Sequence, residues 1–405
     1  SLPRPSPARR RPGGRLVTPL PVEVIDDVAA LDGIAGAWDQ LSVACGRPLS
    51  APGWLLSWWE TMAPEGAEPR IFVVRDAGDI VGVAPFYVRR RRGVVEYRPF
   101  GSGMANRNEP LATPERASDV AAALAGALRQ ALPRPGVVHL DQIDVDSPWP
   151  GLLTEAWPGR RPARDSERTA PAPVLDLTED DFDQWLAGKS SNFRQRLGRD
   201  RRKLEKRGAR THRVGEIGEL ERVMEAFADL HGARWGDVSP LATSQGQELM
   251  LRAGRRLLAS GRFRAYVIET DEQIITVQLF VAAGGEVAYW NGGWDPEWAP
   301  MVSRTPSSSA TAASFSVRGS TTTSHASRAA MIPSGGPACI RAAPVTRSRG
   351  VSPSFRSSAR GPRGSSIACH RGCGASWTGS VGARPADSPA HFAAVALESG
   401  ADIED

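Results

Sequence analysis

Four cations share one face of the stretch SSNFRQRLGRDRRKLEKRG that begins at Ser190: Arg196, Arg199, Lys203 and Arg207 recur at i, i+3, i+7 and i+11. Phe193, Leu197 and Leu204 supply a narrow apolar seam on the same helix. Few acids accompany the arginines, and guanidinium groups at that density can hold an anion, either a phosphorylated cofactor or a polyanionic acceptor. A solvated basic face is the competing reading, and most charge runs are that. His231 is the second chemically capable residue. It falls on an apolar helical face with Leu220, Val223, Met224, Phe227 and Leu230, and neither Phe227 nor Trp235, one turn away on each side, can ligate a metal. A packed core histidine is the expected reading. Cys369, His370 and Cys373 supply three ligands at poor zinc spacing, read as accidental, so no metal is expected.

Composition limits the partners. A chain of 405 residues has room for two domains and tails. Net charge is +5 and arginine far outnumbers lysine, which by itself does not call for a nucleic-acid partner. No run approaches ~18 apolar residues, so no membrane span is expected. Four cysteines do not make a disulfide framework, and a reducing cytoplasm is the expected compartment. Residues 1–20 are dominated by Pro and Arg and are expected to form a disordered basic arm.

The elements that position these residues come in a repeated pattern. Arg262–Gly293 reads as three strands: Arg262–Thr270, a turn at Asp271-Glu272, Gln273–Ala282, a turn at Gly284-Gly285, and a strand from Glu286 to Asn291. Arg70–Gly103 has the same grammar, with turns at Asp76–Asp79 and after Val88. Two copies about one domain length apart imply a duplicated α/β (α+β) module, two tandem lobes with mixed sheets flanked by helices. In the first, residues 21–165, helices are expected over Asp26–Ala44, from Pro48 to Trp59 with Ser50 as N-cap, and over Glu115–Leu132, with a strand at Gly136–Leu140. Trp54, Trp58 and Trp59 are read as core between a helix pair and the first sheet, with an aromatic wall for a sugar or acyl acceptor as the alternative. The Pro- and Arg-rich stretch Trp149–Pro171 is the expected boundary. The second lobe, residues 166–300, opens with a strand at Pro173–Leu177 and a short helix capped by Thr178 and Asp181, followed by helices at Ser190–Arg207, Glu216–Trp235 and Gln245–Ser260.

With these elements in place, several short motifs resemble a known group. They are Trp38 and Leu41, then Pro48-Leu49, Pro52, Trp54 and Trp58; Ser190-Ser191-Asn192-Phe193-Arg194 with the arginines behind it; Leu230-His231 with Arg234-Trp235; and Gly292-Gly293 before Asp295-Pro296. Their order, between about Pro21 and Pro300, resembles the CelD-like (cellulose-biosynthesis-type) branch of the GNAT superfamily, related to the Fem aminoacyltransferases. The resemblance implies two GNAT-like lobes, an acyl-CoA such as acetyl-CoA as donor, and direct attack on the thioester by an acceptor amine. A splayed strand end and a helix N-terminus would then offer backbone N–H groups to the pyrophosphate. That strand would be Glu286–Gly293, with Trp290, Asn291, Gly292 and Gly293 against the cofactor and Arg194, Arg196 and Lys203 near its phosphates. Tyr289 would give a proton to the leaving thiolate, Glu286 and Glu269 are the candidate bases, and Asp295 shapes a turn.

After Pro300 the pattern stops. From Met301 to Ala386 there is no Asp, Glu, Lys or Tyr, while Ser, Arg, Ala, Gly and Pro abound. A low-complexity tail over 301–405 is expected, and its composition points to a shifted reading frame. With ordinary GC-rich codons, Ser308–Phe315 read one base earlier can give LLGYGREL, a credible helix, and Ser320–Ser327 can give LDYDFSRE. A lobe missing that helix and a closing strand would leave Gln273–Ala282 with an unfilled edge.

The function these readings imply is acyl-CoA-dependent N-acyl transfer to a small-molecule or saccharide amine, in polysaccharide or cell-envelope biosynthesis. A Fem-like transferase using aminoacyl-tRNA is the alternative, with the Arg196–Arg207 face as the tRNA contact. The third reading is an inactive remnant. No sustained heptads form the coiled coil that Fem-like enzymes carry, which favours the acyl-CoA reading.

Overall fold

The computed structural model describes residues 19–166, 169–172, 174–177, 182–236, 239–298, 316–319, 332–335 and 338–341. The fold is mixed α/β, with two sheets flanked by helices. The first sheet is laid down in order as β1 (Val22–Ile25), β2 (Glu68–Asp76), β3 (Asp79–Arg91), β4 (Val94–Pro99) and β5 (Val137–Leu140), extended by β15 (Ala338–Arg341) and β6 (Ala163–Ser166). The second runs β8 (Val174–Leu177), β13 (Ser316–Gly319), β12 (Glu286–Trp294), β11 (Ile274–Ala283), β10 (Phe263–Glu269) and β9 (Arg210–Arg213). A two-stranded piece joins β7 (Thr169–Ala172) to β14 (Ile332–Gly335).

Alternation of apolar side chains makes each meander two-faced. One face of each sheet contributes to a single core: Val73, Val83 and Tyr87 from the first, and Ala265, Val267, Val277, Leu279, Val281 and Trp290 from the second. Between them lie α1 (Asp32–Ala44), α2 (Pro52–Met62), α7 (Ile217–Trp235) and α8 (Ser244–Leu257). Gly53 of α2 sits where a Cβ would come within 2.7 Å of Leu257 of α8, so the two helices touch through a residue without a side chain. The other face of the first sheet is covered by α3 (Ala117–Gln130) and α4 (Trp149–Ala156), which enclose Phe72, Val74, Phe86 and Tyr97.

Most of the expected elements are present within a few residues, with instructive exceptions. α1 begins at Asp32, because Asp27 caps a separate 3-10 turn at Val28–Leu31. Ser50 does not cap α2. Ala51 holds that position and the Ser50 hydroxyl is buried without a partner, while its backbone is engaged, N–H donating to the Arg47 carbonyl at 3.1 Å and C=O accepting from Trp38 Nε1 at 3.0 Å. The Trp149–Pro171 stretch, expected as a boundary, contains α4, β6 and the first residues of β7. Strand β11 has no unfilled edge: β10 and β12 pair with it on both sides. The tail supplies three four-residue strands, whereas residues 301–315 and 342–405, the Cys369–Cys373 cluster, Thr178, Asp181 and residues 1–18 lie outside the described residues.

Candidate functional site at the outer edge of β12

The hairpin turn at Ala283/Glu286 starts β12 in register with β11, and the register then slips by one between Leu279 and Phe280. Phe280 pairs with Tyr289 and Leu279 with Asn291, so Trp290 is the extra residue of a bulge. The bulge turns the Trp290 indole into the shared core, where its centroid lies 5.0 Å from that of Trp54 and its Nε1 donates to the Met104 carbonyl at 3.0 Å. Trp58 and Trp59 pack instead on Tyr87 and Phe100. The tryptophan cluster is therefore core, shared between the two sheets.

Beyond the bulge, β12 changes character. Its outer edge pairs with β13 only at Glu286, Val287 and Ala288. From Asn291 to Trp294 that edge has no ladder partner among the described residues. In the first sheet the corresponding edge of β4 is taken by β5, with Glu96 facing Val137 and Tyr97 facing Val138, and Asn108 bridges to Asp141 just beyond. Unpaired strand N–H and C=O groups are ready-made partners for an extended amide-bearing chain.

Side chains crowd this edge from α7. Arg234 lies 3.8 Å over the Trp294 ring and 4.7 Å over Trp235. Burial pushes the Tyr289 phenol far above its ordinary value, against the pull of the Arg234 charge, so the hydroxyl keeps its proton. The α7 backbone passes close over Gly293: a Cβ there would stand 2.9 Å from Leu230 Cβ and 3.1 Å from the His231 backbone nitrogen. Gly292 is covered by Gln278, whose amide would lie 2.4 Å from an added Cβ.

His231 is buried, stacked on Phe227 at 5.2 Å, and its Nε2 pairs with Ser239 Oγ at 2.7 Å. Its Nδ1 is buried beside the Gly292 backbone without a hydrogen bond of ordinary geometry. Burial lowers its pKa, Gly292 opposes that and Arg234 adds to it, so the ring is held neutral. The sequence marks His231 as core; the packing is as expected, but the orphaned nitrogen beside β12 was not legible. Ser239 was missed, because nothing in the sequence signals a partner eight residues on.

The remaining sequence candidates do not converge on this edge. Glu286 is buried and held by Arg107, which also grips Asp144 at 3.0 Å. Glu269 lies at the far end of the sheet. The two glutamates pair with Ala283 and Ile274 of β11, about 30 Å apart along that strand. Burial works against the charged form of Glu269, but Arg222, with His212 and Arg210, outweighs it and holds the carboxyl below its ordinary range. On α6 (Ser191–Lys206), which follows the short α5 (Phe182–Ala187), Ser190 caps the helix by accepting from Phe193 N at 3.3 Å. Arg194 turns back to the Ala187 carbonyl at 2.9 Å, Arg196 is half-buried and Lys203 is exposed. The last turn of α6 reaches the apolar patch of Ile268, Ile275 and Trp298, against which both Leu204 and Trp294 pack, and Arg207 lies 5.0 Å over the Trp298 ring. Asp295 shapes the turn after β12 by accepting from Glu297 N at 2.9 Å. Among the described residues no cluster of His, Cys, Asp and Glu could hold a metal, and no helix is long and apolar enough to cross a membrane.

Several known structures align with most of the chain at low identity. FemX aligns over 79% of this chain and 97% of its own, at 12% identity and a TM-score of 0.49. A conserved protein of unknown function from Bacteroides thetaiotaomicron covers 80% and 100% at 12% identity, TM-score 0.43. A tandem GNAT protein from the clavulanic acid biosynthesis pathway covers 80% and 100% at 13% identity, TM-score 0.34. No curated protein sequence matches the chain. Residues 191–303, which run from the start of α6 to just past β12, match the family described as acetyltransferase (GNAT) domain.

Proposed function

We propose that the second sheet and its helices form an acyl-CoA-dependent N-acyltransferase unit, with the outer edge of β12 as the donor site. The observation that carries this reading is the stretch Asn291–Trp294, which follows a bulge, has no ladder partner on its outer edge among the described residues and lies inside the matched acetyltransferase domain. The pantetheine arm of an acyl-CoA is a chain of amides and would extend the sheet as an added strand does. Trp290, Asn291, Gly292 and Gly293 would line it, their backbone donors polarising the thioester carbonyl.

The chemistry asks little of side chains. The acceptor amine, freed of its extra proton by water, attacks the thioester carbon. The C–N bond forms, the C–S bond breaks, the thiolate takes a proton from the Tyr289 hydroxyl, and the second proton shed by the amine nitrogen returns through water to restore the phenol. The phenol carries its proton through the working pH range, and the same burial makes it a weaker acid than an exposed tyrosine. Glu286 serves the fold through Arg107 and is not assigned a proton-transfer role.

The acceptor is an amine of a small molecule or saccharide. Acetyl-CoA turnover over a series of such amines, read as free thiol released, tests the reading. Tyr289→Phe should lower kcat about tenfold or more while leaving KM for acetyl-CoA within about twofold. Steeply salt-dependent binding of tRNA with no response to acetyl-CoA would replace this reading by the aminoacyl-tRNA one.

A further inference from the structure

The face of the second sheet turned away from the shared core is polar where its counterpart is apolar. The two meanders match residue for residue: Arg70 faces Phe86 and Phe72 faces Ala84 in the first, while Arg264 faces Phe280 and Tyr266 faces Gln278 in the second. In the first sheet α3 presses directly on this face, with Val120 filling the space over Gly82. In the second, Thr276 stands in the place of Gly82 and Gln278 in that of Ala84, both buried.

The matched arginines differ in their company. Arg70 is paired with Asp26 at 3.1 Å and Glu68 at 3.4 Å. Arg264 has no carboxylate partner among the described residues; its Nε donates to the Gly261 carbonyl at 3.0 Å, and its charge lies beside the Tyr266 hydroxyl. Arg213, directly across from Tyr266 on β9, flanks the same hydroxyl and likewise pairs with no described acid. Residues Gly215 and Arg262, which occupy the places of Asp26 and Glu68, cannot neutralise them. Two guanidinium groups are thus held together around a phenol, with no carboxylate paired to either among the described residues. Such a pair repels itself unless an anion joins it.

We propose that Arg213, Arg264 and the Tyr266 hydroxyl form a binding site for a phosphate- or carboxylate-type anion. A transverse row connects this site to the donor edge. Arg213, Tyr266, Gln278 and Gly292 are successive register partners on β9 to β12, spanning about 14 Å. The anion is therefore assigned to the acyl acceptor, whose amine would lie at β12; that assignment rests on the transferase reading, whereas the anion site does not.

Titration of the full-length chain with inorganic phosphate, followed by calorimetry or by phosphorus NMR line width, tests the site without any acyl donor. Saturable binding is expected, weakened about tenfold or more in Arg264→Gln and in Arg213→Gln and kept in Arg264→Lys. Arg70→Gln, already neutralised in its own sheet, should leave it unchanged. Succinate in a parallel titration separates a carboxylate site from a phosphate site. Absence of saturable binding of either anion, or binding indifferent to both glutamine variants, overturns the proposal. If the anion binds as described but anionic and neutral amine acceptors are turned over equally, or acetyl-CoA does not bind, the fault lies with the transferase reading and its acceptor assignment.

Discussion

Phe72 and Tyr266 occupy the same position of the same irregular hairpin. Each faces a residue twelve further along the chain, Ala84 and Gln278, and each ladder slips by one register two residues later, at Val74/Arg75 and at Ile268/Glu269. A shared pairing register is a property of strand and turn together; a shared bulge in the same place is a stronger likeness. The likeness supports duplication of the module, and the differences between the copies then become informative. Ala84 against Gln278 is one; the filled edge of β4 against the open edge of β12 is another.

The buried bridge of Arg107 to Glu286 and Asp144 ties the loop after β4 to the start of β12. Arg107→Ala removes the guanidinium that grips the buried Glu286 carboxylate and should cost about 3–5 kcal/mol in denaturant unfolding. Combining it with Glu286→Gln should recover part of that loss. Equal, additive losses in the double variant would show that the two side chains act independently.

Trp290 joins the two sheets through Trp54 and the Met104 carbonyl. Trp290→Ala should destabilise by about 3–5 kcal/mol, and its effect should not add to that of Trp54→Ala. A loss below about 1 kcal/mol by chemical denaturation would place the indole outside the core.

At Gly293 the α7 backbone leaves no space for a Cβ. Gly293→Ala should cost about 1–3 kcal/mol and displace His231 and Arg234 from the edge of β12. Near-UV circular dichroism of the neighbouring tryptophans reports that displacement; an unchanged melt and spectrum would contradict the close approach.

His231 contributes a pH dependence of definite sign. Its folded pKa lies below the ordinary value of 6.5, so the unfolded chain takes up the proton first as pH falls. The stability it contributes is present above about pH 6.5 and is lost as pH drops through the depressed folded value. Unfolding free energies measured from pH 8 to pH 5 should show this loss, and His231→Phe should flatten it. A profile the variant leaves unaltered would mean that the ring titrates freely.

How much of this was legible in the sequence differs between fold and site. The strands and helices announced themselves through alternation and helical spacing, and paired turns exposed the repeat. Ser50 misled because a Ser before Pro is only a local signal, while its backbone is committed to Trp38. Glu269 and Glu286 look alike in sequence, both at strand ends, and only register shows that they belong to opposite ends of one sheet. Arg213 was invisible because β9 is four residues long with no apolar alternation, and Ser239 because its bond to His231 depends on how the chain returns after α7.

The composition beyond Pro300 makes a claim about the gene. If the frame shifts, the DNA across the codons for Pro296–Ser320 should encode a helix-forming, acid-containing peptide without stops in the neighbouring frame. A chain rebuilt in that frame should bind acetyl-CoA at least about tenfold more tightly than this one, by calorimetry. Stops in that frame, or no gain in affinity, would dispose of the idea.

The account depends most on the open edge of β12. Amide hydrogen exchange with and without millimolar acetyl-CoA measures it directly. Slowed exchange centred on Asn291–Trp294, saturating with a Kd of about 0.1 mM or weaker in this chain, is the predicted result. Exchange there unaffected by acetyl-CoA, or protection confined to the first sheet, would contradict it.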